Sequence, residues 1–176
     1  MSSTKLENEA SKKKKLPRIE LRMLSFDMEE RVLSAIEISG PNFLDRNMTI
    51  RTVHTKEPAI VAAARERMLK VLVNLLNYAT KYADKGTETT ITVALDEKEV
   101  RVQISDSGHG IEQSGLEPMF ESFYRTKNAR QSRVAGSGLC LAIDRGFVES
   151  KGDIIWAEST VGEGSTFMFT LPLVIA

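Results

Sequence analysis

A carboxylate followed by two closely spaced glycines stands out in the stretch DSGHGI (106–111). Asp106 ends a run that alternates like a β-strand, and a buried aspartate there can accept a hydrogen bond from the exocyclic amine of adenine. Gly108 and Gly110 have no side chain, so a flat base could lie against their backbone. The alternative is an Asx-turn, in which Asp106 only caps its own loop.

A second pair of glycines opens a predicted helix in GSGLCL (136–141). Main-chain N–H groups near Gly136 and Gly138, with the positive end of the helix dipole behind them, can approach phosphate oxygens. A tight loop without a ligand would use the same residues, so this feature alone does not decide. Cys140 is either a thiol activated by the helix N-terminus or a small buried residue, and we expect the latter.

A long helix must position the remaining polar candidates. Apolar residues recur at helical spacing from about Ala63 to Ala83 and form one continuous stripe: Met68, Leu72, Leu75, Ala79 and Tyr82. A polar face lies opposite this stripe: Asn74, Asn77, Tyr78 and Lys81. Such faces are mostly just solvated, but this one would look across at the two glycine turns.

Periodicity predicts two more helices. The first runs from Phe26 to Ile38, with Asp27 as N-cap and Gly40-Pro41 as its end. The second runs from Gly138 to Ser150, and its predicted buried set is Leu139, Ala142, Ile143, Phe147 and Val148.

Alternating runs predict short strands at 47–55 and 58–61 and two hairpins, 87–97 with 98–106 and 152–160 with 165–173. The order of elements fits one sheet covered by helices on a single face. We therefore expect an α/β (α+β) fold, a two-layer α/β sandwich with a mixed, mainly antiparallel sheet.

Composition bounds the class of protein. The chain has 176 residues, 24 basic and 24 acidic side chains, and one cysteine, Cys140. Balanced charge argues against a nucleic-acid partner, and a lone cysteine fits a reducing compartment. No apolar run reaches the roughly 18–20 residues of a membrane span. We expect a flexible or linker segment at 1–25, a single domain at 26–176, and a cytoplasmic location, including the cytoplasmic part of a membrane sensor.

Four motifs in this order resemble the ATP-binding catalytic domain of two-component sensor histidine kinases, within the superfamily of DNA gyrase, heat-shock chaperones and mismatch-repair ATPases. The segment ERMLKVLVNLLNYATKYADKG resembles the family's asparagine box. DSGHGI and GSGLCLAI resemble its two glycine boxes, and MFESFYR resembles its phenylalanine box. The closing GEGSTFMFTLPL is also typical. The resemblance covers about 26–173 and implies the Bergerat ATP-binding fold.

The resemblance also implies roles for individual residues. Asp106 would bind the adenine amine, with Tyr82 and Ile111 as pocket walls and Gly108 and Gly110 allowing close approach of the base. The implied phosphate and lid residues are Asn74, Lys81, Arg125, Gly136, Gly138 and Leu139. His109 falls at a variable position, so it has no predicted role.

The asparagine box departs from the family pattern. A second asparagine, which with Asn74 would hold the Mg²⁺ that bridges the ATP phosphates, is replaced by Tyr78. A neutral phenol is a poor ligand for Mg²⁺, which prefers compact oxygen ligands in octahedral geometry. Asn77 precedes that position by one residue, about 100° around the helix, so it is not an automatic substitute; because it lies only about 60° from Asn74, it is a second candidate ligand that could rescue the site.

The resemblance implies partners that this sequence does not include. Family members phosphorylate a histidine on separate dimerisation helices and then act on a response regulator. The two histidines, His54 and His109, do not stand in that motif. We expect the parent protein to be a dimer and this fragment to be monomeric.

Three functions remain open. The chain is the ATP-binding part of a kinase that transfers the γ-phosphoryl group to a histidine elsewhere, with Mg²⁺ as cofactor; or it is a pseudokinase that binds nucleotide weakly or not at all and serves as a sensing or scaffolding module. The third alternative is a serine kinase or chaperone-like ATPase of the same superfamily. Tyr78 favours the pseudokinase. Cys140 does so too, because it replaces the last glycine of the family's second glycine box and its side chain would crowd the approach of the phosphates.

Overall fold

The computed structural model describes residues 22–125, 140–150 and 152–175. Among these, no helix is both long and apolar enough to cross a bilayer. The elements in chain order are β1 (Met23–Asp27), α1 (Met28–Asp45), β2 (Thr49–Val53), β3 (Ile60–Ala64), α2 (Arg65–Tyr82), β4 (Glu88–Leu95), β5 (Glu99–Asp106), α3 (Gln113–Leu116), a 3₁₀ turn (Pro118–Phe120), α4 (Cys140–Glu149), β6 (Ile155–Thr160) and β7 (Gly164–Pro172).

Five strands form the main sheet in the spatial order β2-β4-β5-β7-β6. Strands β2 and β4 run parallel, and the other neighbouring pairs run antiparallel. Both predicted hairpins are present, as β4 with β5 and β6 with β7. Alternate residues of the central strands, such as Ile91, Val102 and Ile104, are buried, which is typical of a sheet with one face under helices. The predicted α/β sandwich with a mixed, mainly antiparallel sheet is confirmed.

A second, two-stranded sheet corrects the expectation of a single sheet. Strand β1 pairs antiparallel with β3, and a bridge between Val61 and Leu173 joins β3 to the chain after β7. Because β1 begins at Met23, the last residues assigned to the N-terminal linker belong to a strand. This strand was missed because it is only five residues long and begins with two adjacent apolar residues, Met23 and Leu24, so that its sequence shows no clear alternation.

Helix α1 begins where predicted and ends later. Asp27 caps it, since its Oδ1 accepts a hydrogen bond from the Glu29 N–H at 3.0 Å. The Gly40-Pro41 pair does not end the helix, which continues to Asp45. The additional residues bring Phe43 into the core, where its side chain is 2% exposed. Tertiary packing therefore overrides the local helix-stop signal.

Helix α2 buries the predicted stripe. Met68, Leu72 and Leu75 are fully buried and Ala79 nearly so, while Tyr82 at the end of the helix is half-buried. This stripe fixes the rotation of the helix about its axis. It therefore also fixes which of the remaining residues face the predicted site.

Helix α4 presents a different face from the one predicted. Val148 is buried as expected, but Ile143 is 53% exposed and Asp144 is only 3% exposed. Leu139, also predicted to be buried, lies outside the described residues. The pattern failed because the helical stripe was chosen by hydrophobicity, and a carboxylate occupies one inward position of this helix.

The burial of Phe43 predicts a large stability difference between adjacent residues. Phe43→Ala should lower the free energy of unfolding by about 3–5 kcal/mol, because it leaves a cavity in the core. Leu44 is 78% exposed, so Leu44→Ala should change it by only about 0.5 kcal/mol. Urea denaturation of the two variants measures the difference. Equal effects would show that the last turn of α1 is not anchored by Phe43.

Candidate nucleotide-binding site

A pocket lies at the end of β5, beside the last turn of α2. It is lined by Tyr78, Tyr82, Asp106, His109, Gly110, Ile111 and Ser165. Four residues of the predicted binding set, Tyr82, Asp106, Gly110 and Ile111, are therefore brought together. His109, which had no predicted role, also lines the pocket, and its Nε2 lies 3.5 Å from Asp84 Oδ1.

Asp106 forms the predicted Asx-turn and also lines the pocket. Its Oδ1 accepts a hydrogen bond from the Gly108 N–H at 2.9 Å, which is the Asx-turn, and the same side chain lines the pocket. Burial raises the pKa of Asp106, while hydrogen bonds from the main-chain N–H groups of Gly108 and Ser165 lower it. The side chain is thus a partly buried hydrogen-bond acceptor at a pocket wall.

The glycines of DSGHGI allow close packing of the protein against itself. A Cβ on Gly108 would lie 2.6 Å from the carbonyl oxygen of Tyr82, at the end of α2. A Cβ on Gly110 would overlap the carbonyl oxygen of Thr160, and Gly110 also has a positive φ of 75°. Gly108 does not line the pocket. The predicted reason for these glycines, close approach of a base, is therefore incomplete, because the described backbone already requires them.

Asn74 contacts a residue that sequence reasoning missed. Its Nδ2 donates hydrogen bonds to both carboxylate oxygens of Asp144 on α4, at 3.0 Å to Oδ1 and 3.2 Å to Oδ2. Burial raises the pKa of Asp144 to about 7, against lowering by the Asn74 hydrogen bond and by the charges of Lys70 and Arg67. An aspartate within an otherwise apolar helix pattern was the only sequence signal for this contact.

The other two candidates for a metal ligand are held in different environments. The Oδ1 of Asn77 accepts a hydrogen bond from Nδ2 of Asn42 on α1, at 3.2 Å. The Tyr78 ring packs against Tyr82 and Phe167, with ring centroids 4.4 Å and 4.8 Å apart. A site with two amide oxygens for Mg²⁺ therefore does not fit these residues, since only the Asn74 amide retains the required chemistry.

The remaining predicted residues lie away from the pocket or outside the described ranges. Lys81 is exposed and Arg125 is half-buried, and neither lines the pocket. Cys140 is exposed at the start of α4, so the prediction that it is buried is wrong. Within the described ranges, no group of three or more histidine, cysteine, aspartate or glutamate side chains could hold a metal ion. Three residues predicted to contact phosphate, Gly136, Gly138 and Leu139, lie outside these ranges.

Fold and pocket together define a nucleotide-binding domain of the Bergerat class. The family model described as histidine kinase-, DNA gyrase B- and HSP90-like ATPase matches residues 63–175, and the chain belongs to this family. The resemblance to the ATP-binding catalytic domain of two-component histidine kinases is confirmed by the relatives that follow.

Two relatives are sensor kinases. The sensor histidine kinase WalK of Bacillus subtilis is 36% identical over 110 residues, which is 61% of this chain and 18% of WalK. The adaptive-response sensory kinase SasA of Gloeothece citriformis is 32% identical over 142 residues, which is 80% of this chain and 36% of SasA. The match thus spans little more than a third of these relatives at most.

A solved structure has the same fold. The nucleotide-free catalytic domain of histidine kinase ThkA superposes with a TM-score of 0.73 at 28% identity, covering 86% of this chain and 96% of that domain. ThkA in complex with the response regulator protein TrrA also matches, with a TM-score of 0.71 at 24% identity over 86% of this chain and 42% of that one.

The contact of Gly110 with Thr160 predicts that an added methyl group disrupts the turn. Gly110→Ala should lower the free energy of unfolding by more than about 2 kcal/mol, through overlap added to the strain of a positive φ. Gly162 has a similar φ of 84° but nothing within 4 Å of its Cβ position. Gly162→Ala should therefore lower the free energy of unfolding by about 1 kcal/mol, from the strain of the positive φ alone. Thermal or urea unfolding gives the difference, and equal losses would contradict the packing role.

The raised pKa of Asp144 predicts a pH-dependent stability. Its folded-state pKa of about 7 lies above the ordinary value of 3.8, so the folded state binds the proton more tightly. The stabilisation that Asp144 contributes is fully present below its ordinary pKa of 3.8, and it is lost as the pH rises through the folded-state pKa of about 7. Asp144→Asn keeps a hydrogen-bond acceptor for Asn74 and removes this loss. The variant should be more stable than wild type above about pH 7, by roughly 2–4 kcal/mol.

The measurement is urea denaturation from about pH 4 to pH 8. Asp45→Asn, which changes an exposed carboxylate, controls for the change in net charge. If wild type and Asp144→Asn lose stability in parallel over this range, Asp144 does not have a raised pKa in the folded state.

Proposed function

We propose that this chain is the nucleotide-binding domain of a two-component sensor kinase, and that it binds adenine nucleotides weakly and with little dependence on Mg²⁺. The observation that carries the proposal is a contrast within one site. Asp106, Tyr82 and Ile111 line the pocket at the end of β5. On the polar face of α2, in contrast, Tyr78 stands where the family pattern has an asparagine.

The end of β5 provides the base-binding part of the site. Asp106 accepts a hydrogen bond from the adenine amine, because its carboxyl lines the pocket and its main-chain partners leave it acceptor capacity. Tyr82 and Ile111 flank the base with apolar surface. A guanine presents a carbonyl oxygen at the same position, which would face the Asp106 acceptor without a proton between them.

The phosphate end is assigned by family resemblance. Asn74 on α2 contacts the phosphates or their cation, with Lys81 and Arg125 as positive charges beside them. Backbone N–H groups around Gly136, Gly138 and Leu139 complete this end. Mg²⁺ supplies charge neutralisation to such a site when it is bound, and the described residues offer it one amide oxygen in place of two.

Family membership also supports the role of the parent protein. Domains of this family bind ATP, and its sensor kinases transfer the γ-phosphoryl group to a histidine on dimerisation helices. A response regulator is the next acceptor, as the complex of ThkA with a response regulator illustrates for that protein. We propose a dimeric parent with these partners, located in the cytoplasm or at the cytoplasmic side of a membrane. Because its metal end is altered, we assign this chain a sensing or scaffolding role in that system.

Active γ-phosphoryl transfer is the second candidate. Asn74 favours it, since its side chain is retained at the family's first asparagine position and is held by Asp144. Mg²⁺ in nucleotide sites commonly has only one or two protein ligands, with phosphates and water completing its octahedron. The two candidates therefore differ in one measurable quantity, the dependence of ATP affinity on Mg²⁺.

Calorimetry with ATP and ADP, each with and without Mg²⁺, tests the proposal. We expect dissociation constants for both nucleotides that change by less than about threefold on addition of Mg²⁺, a free-energy difference of about 0.6 kcal/mol. GTP should bind more weakly than ATP. Tight, strongly Mg²⁺-dependent ATP binding would show the active kinase instead, and absence of any binding would reduce the domain to a scaffold.

A companion variant restores the missing amide. Tyr78→Asn should make ATP binding depend on Mg²⁺ by about tenfold or more, as expected for regaining a metal ligand. Tyr78→Phe, which keeps the ring and removes only the hydroxyl, is the matched control and should behave like wild type. If Tyr78→Asn binds ATP but gains no Mg²⁺ dependence, position 78 is not what limits metal binding.

A further inference from the structure

Helix α4 carries a buried carboxylate that an ordinary amphipathic helix would not place there. Asp144 is 3% exposed, between Ile143 at 53% and the half-buried Arg145. Removing a carboxylate from water is unfavourable unless it is paired or hydrogen-bonded. The contacts that compensate Asp144 therefore indicate what this position does.

Among the described residues, the groups that compensate Asp144 come from one face of α2. Asn74 Nδ2 donates to both carboxylate oxygens, and the charges of Lys70 and Arg67 act on the same carboxyl group. Residues 67, 70 and 74 follow one another at steps of three and four, so they lie along one side of the helix. Asp144 thus faces a row of donors and cations on α2.

The contact selects one orientation of the Asn74 amide. An asparagine side chain can flip by 180°, which exchanges its donor nitrogen and its acceptor oxygen. With Nδ2 toward Asp144, the donor meets two acceptors. In the flipped state Oδ1 would face the carboxylate oxygens, and acceptors would oppose acceptors. The two observed hydrogen bonds therefore keep the Asn74 nitrogen on the side of Asp144 and direct Oδ1 away from the carboxyl group.

We propose that Asp144 is a positioning residue, which holds the Asn74 side chain so that its carbonyl oxygen is available to a cation at the phosphate end of the site. This inference rests on the proposed function, because Asn74 is placed at that end by family resemblance. Carboxylates that fix a ligand through its other polar atom commonly increase metal affinity by 10–100-fold. In this chain Asp144 acts through the one amide ligand that remains.

The hydrogen bond itself is tested without nucleotide or metal. In ¹H–¹⁵N spectra of the free domain, the Asn74 side-chain amide, assigned by its loss in Asn74→Ala, should show one strongly downfield-shifted proton. Asp144→Ala should return this proton to the range of exposed asparagines. Ile143→Ala, at the exposed neighbouring position, should leave it in place. An Asn74 amide with two equivalent, exposed-type protons in wild type would overturn the proposal.

The consequence for metal binding is tested with Tyr78→Asn, in which the second amide is restored. Titration of Mg²⁺ at constant ATP gives an apparent metal affinity. We expect Tyr78→Asn/Asp144→Ala to bind Mg²⁺ about 10–100-fold more weakly than Tyr78→Asn, while Tyr78→Asn/Ile143→Ala does not change. If Tyr78→Asn/Asp144→Ala does not fold, Asp144→Ser is used in place of Asp144→Ala. The serine hydroxyl oxygen lies one bond closer to the main chain than the carboxylate oxygens of Asp144.

The possible failures are distinct. If Tyr78→Asn gains no Mg²⁺ dependence, the proposed function is wrong at its metal end, and the spectra of the free domain still decide whether Asp144 holds Asn74. If Tyr78→Asn gains Mg²⁺ dependence and keeps it after removal of Asp144, the positioning role is overturned and the proposed function stands.

Discussion

Main-chain contacts without room for a side chain hold the end of β5 in place, and the pocket depends on them. Gly164 at the start of β7 lies against the carbonyl group of Asp106, Gly110 lies against Thr160, and Gly108 lies against the end of α2. Because these contacts join backbone to backbone, they vary little with side-chain motion. They fix the Asp106 carboxyl relative both to α2 and to the turn between β6 and β7.

Helix α2 meets two requirements with one rotation about its axis. Its apolar stripe must face the core, and this decides which residues face the pocket. Asn77 is turned toward α1, where Asn42 donates to its Oδ1, and Tyr78 is turned toward the pocket and Phe167. Moving Asn77 into the place of Tyr78 would require a rotation of about 100° and would expose the buried stripe. The core therefore holds Asn77 and Tyr78 in different environments.

The parts of the fold that were predictable have a strong local signal. The stripe of α2 and the alternation of the two hairpins involve many residues that all obey one periodicity, so single exceptions do not matter. The N-cap of α1 was predictable for a similar reason, since Asp27 contacts a residue only two positions away. The family motifs, moreover, located the pocket.

The features that were missed depend on distant contacts. Strand β1 is defined by pairing with β3, and the last turn of α1 by the packing of Phe43, and neither leaves a local pattern. Asp144 contacts Asn74 across 70 positions of sequence, and a helical pattern read for hydrophobicity assigns such a residue to solvent. The glycines of DSGHGI were found, but the packing partner Thr160 could not be known before β6 was placed beside them.

The residues that line or adjoin the pocket are under different physical constraints. At the base end, Gly108 and Gly110 are required by packing whether or not a nucleotide binds, so their presence alone does not demonstrate binding. Asp106 is the more informative residue. The amide oxygen of an asparagine could accept the Gly108 N–H equally well, without the desolvation that raises the pKa of Asp106. A desolvated carboxyl group at a pocket wall is therefore the residue on which the proposed contact with the adenine amine depends. Tyr78 connects the two ends, because it stands where the family pattern has an amide and also lines the pocket, with its ring against Tyr82 and Phe167.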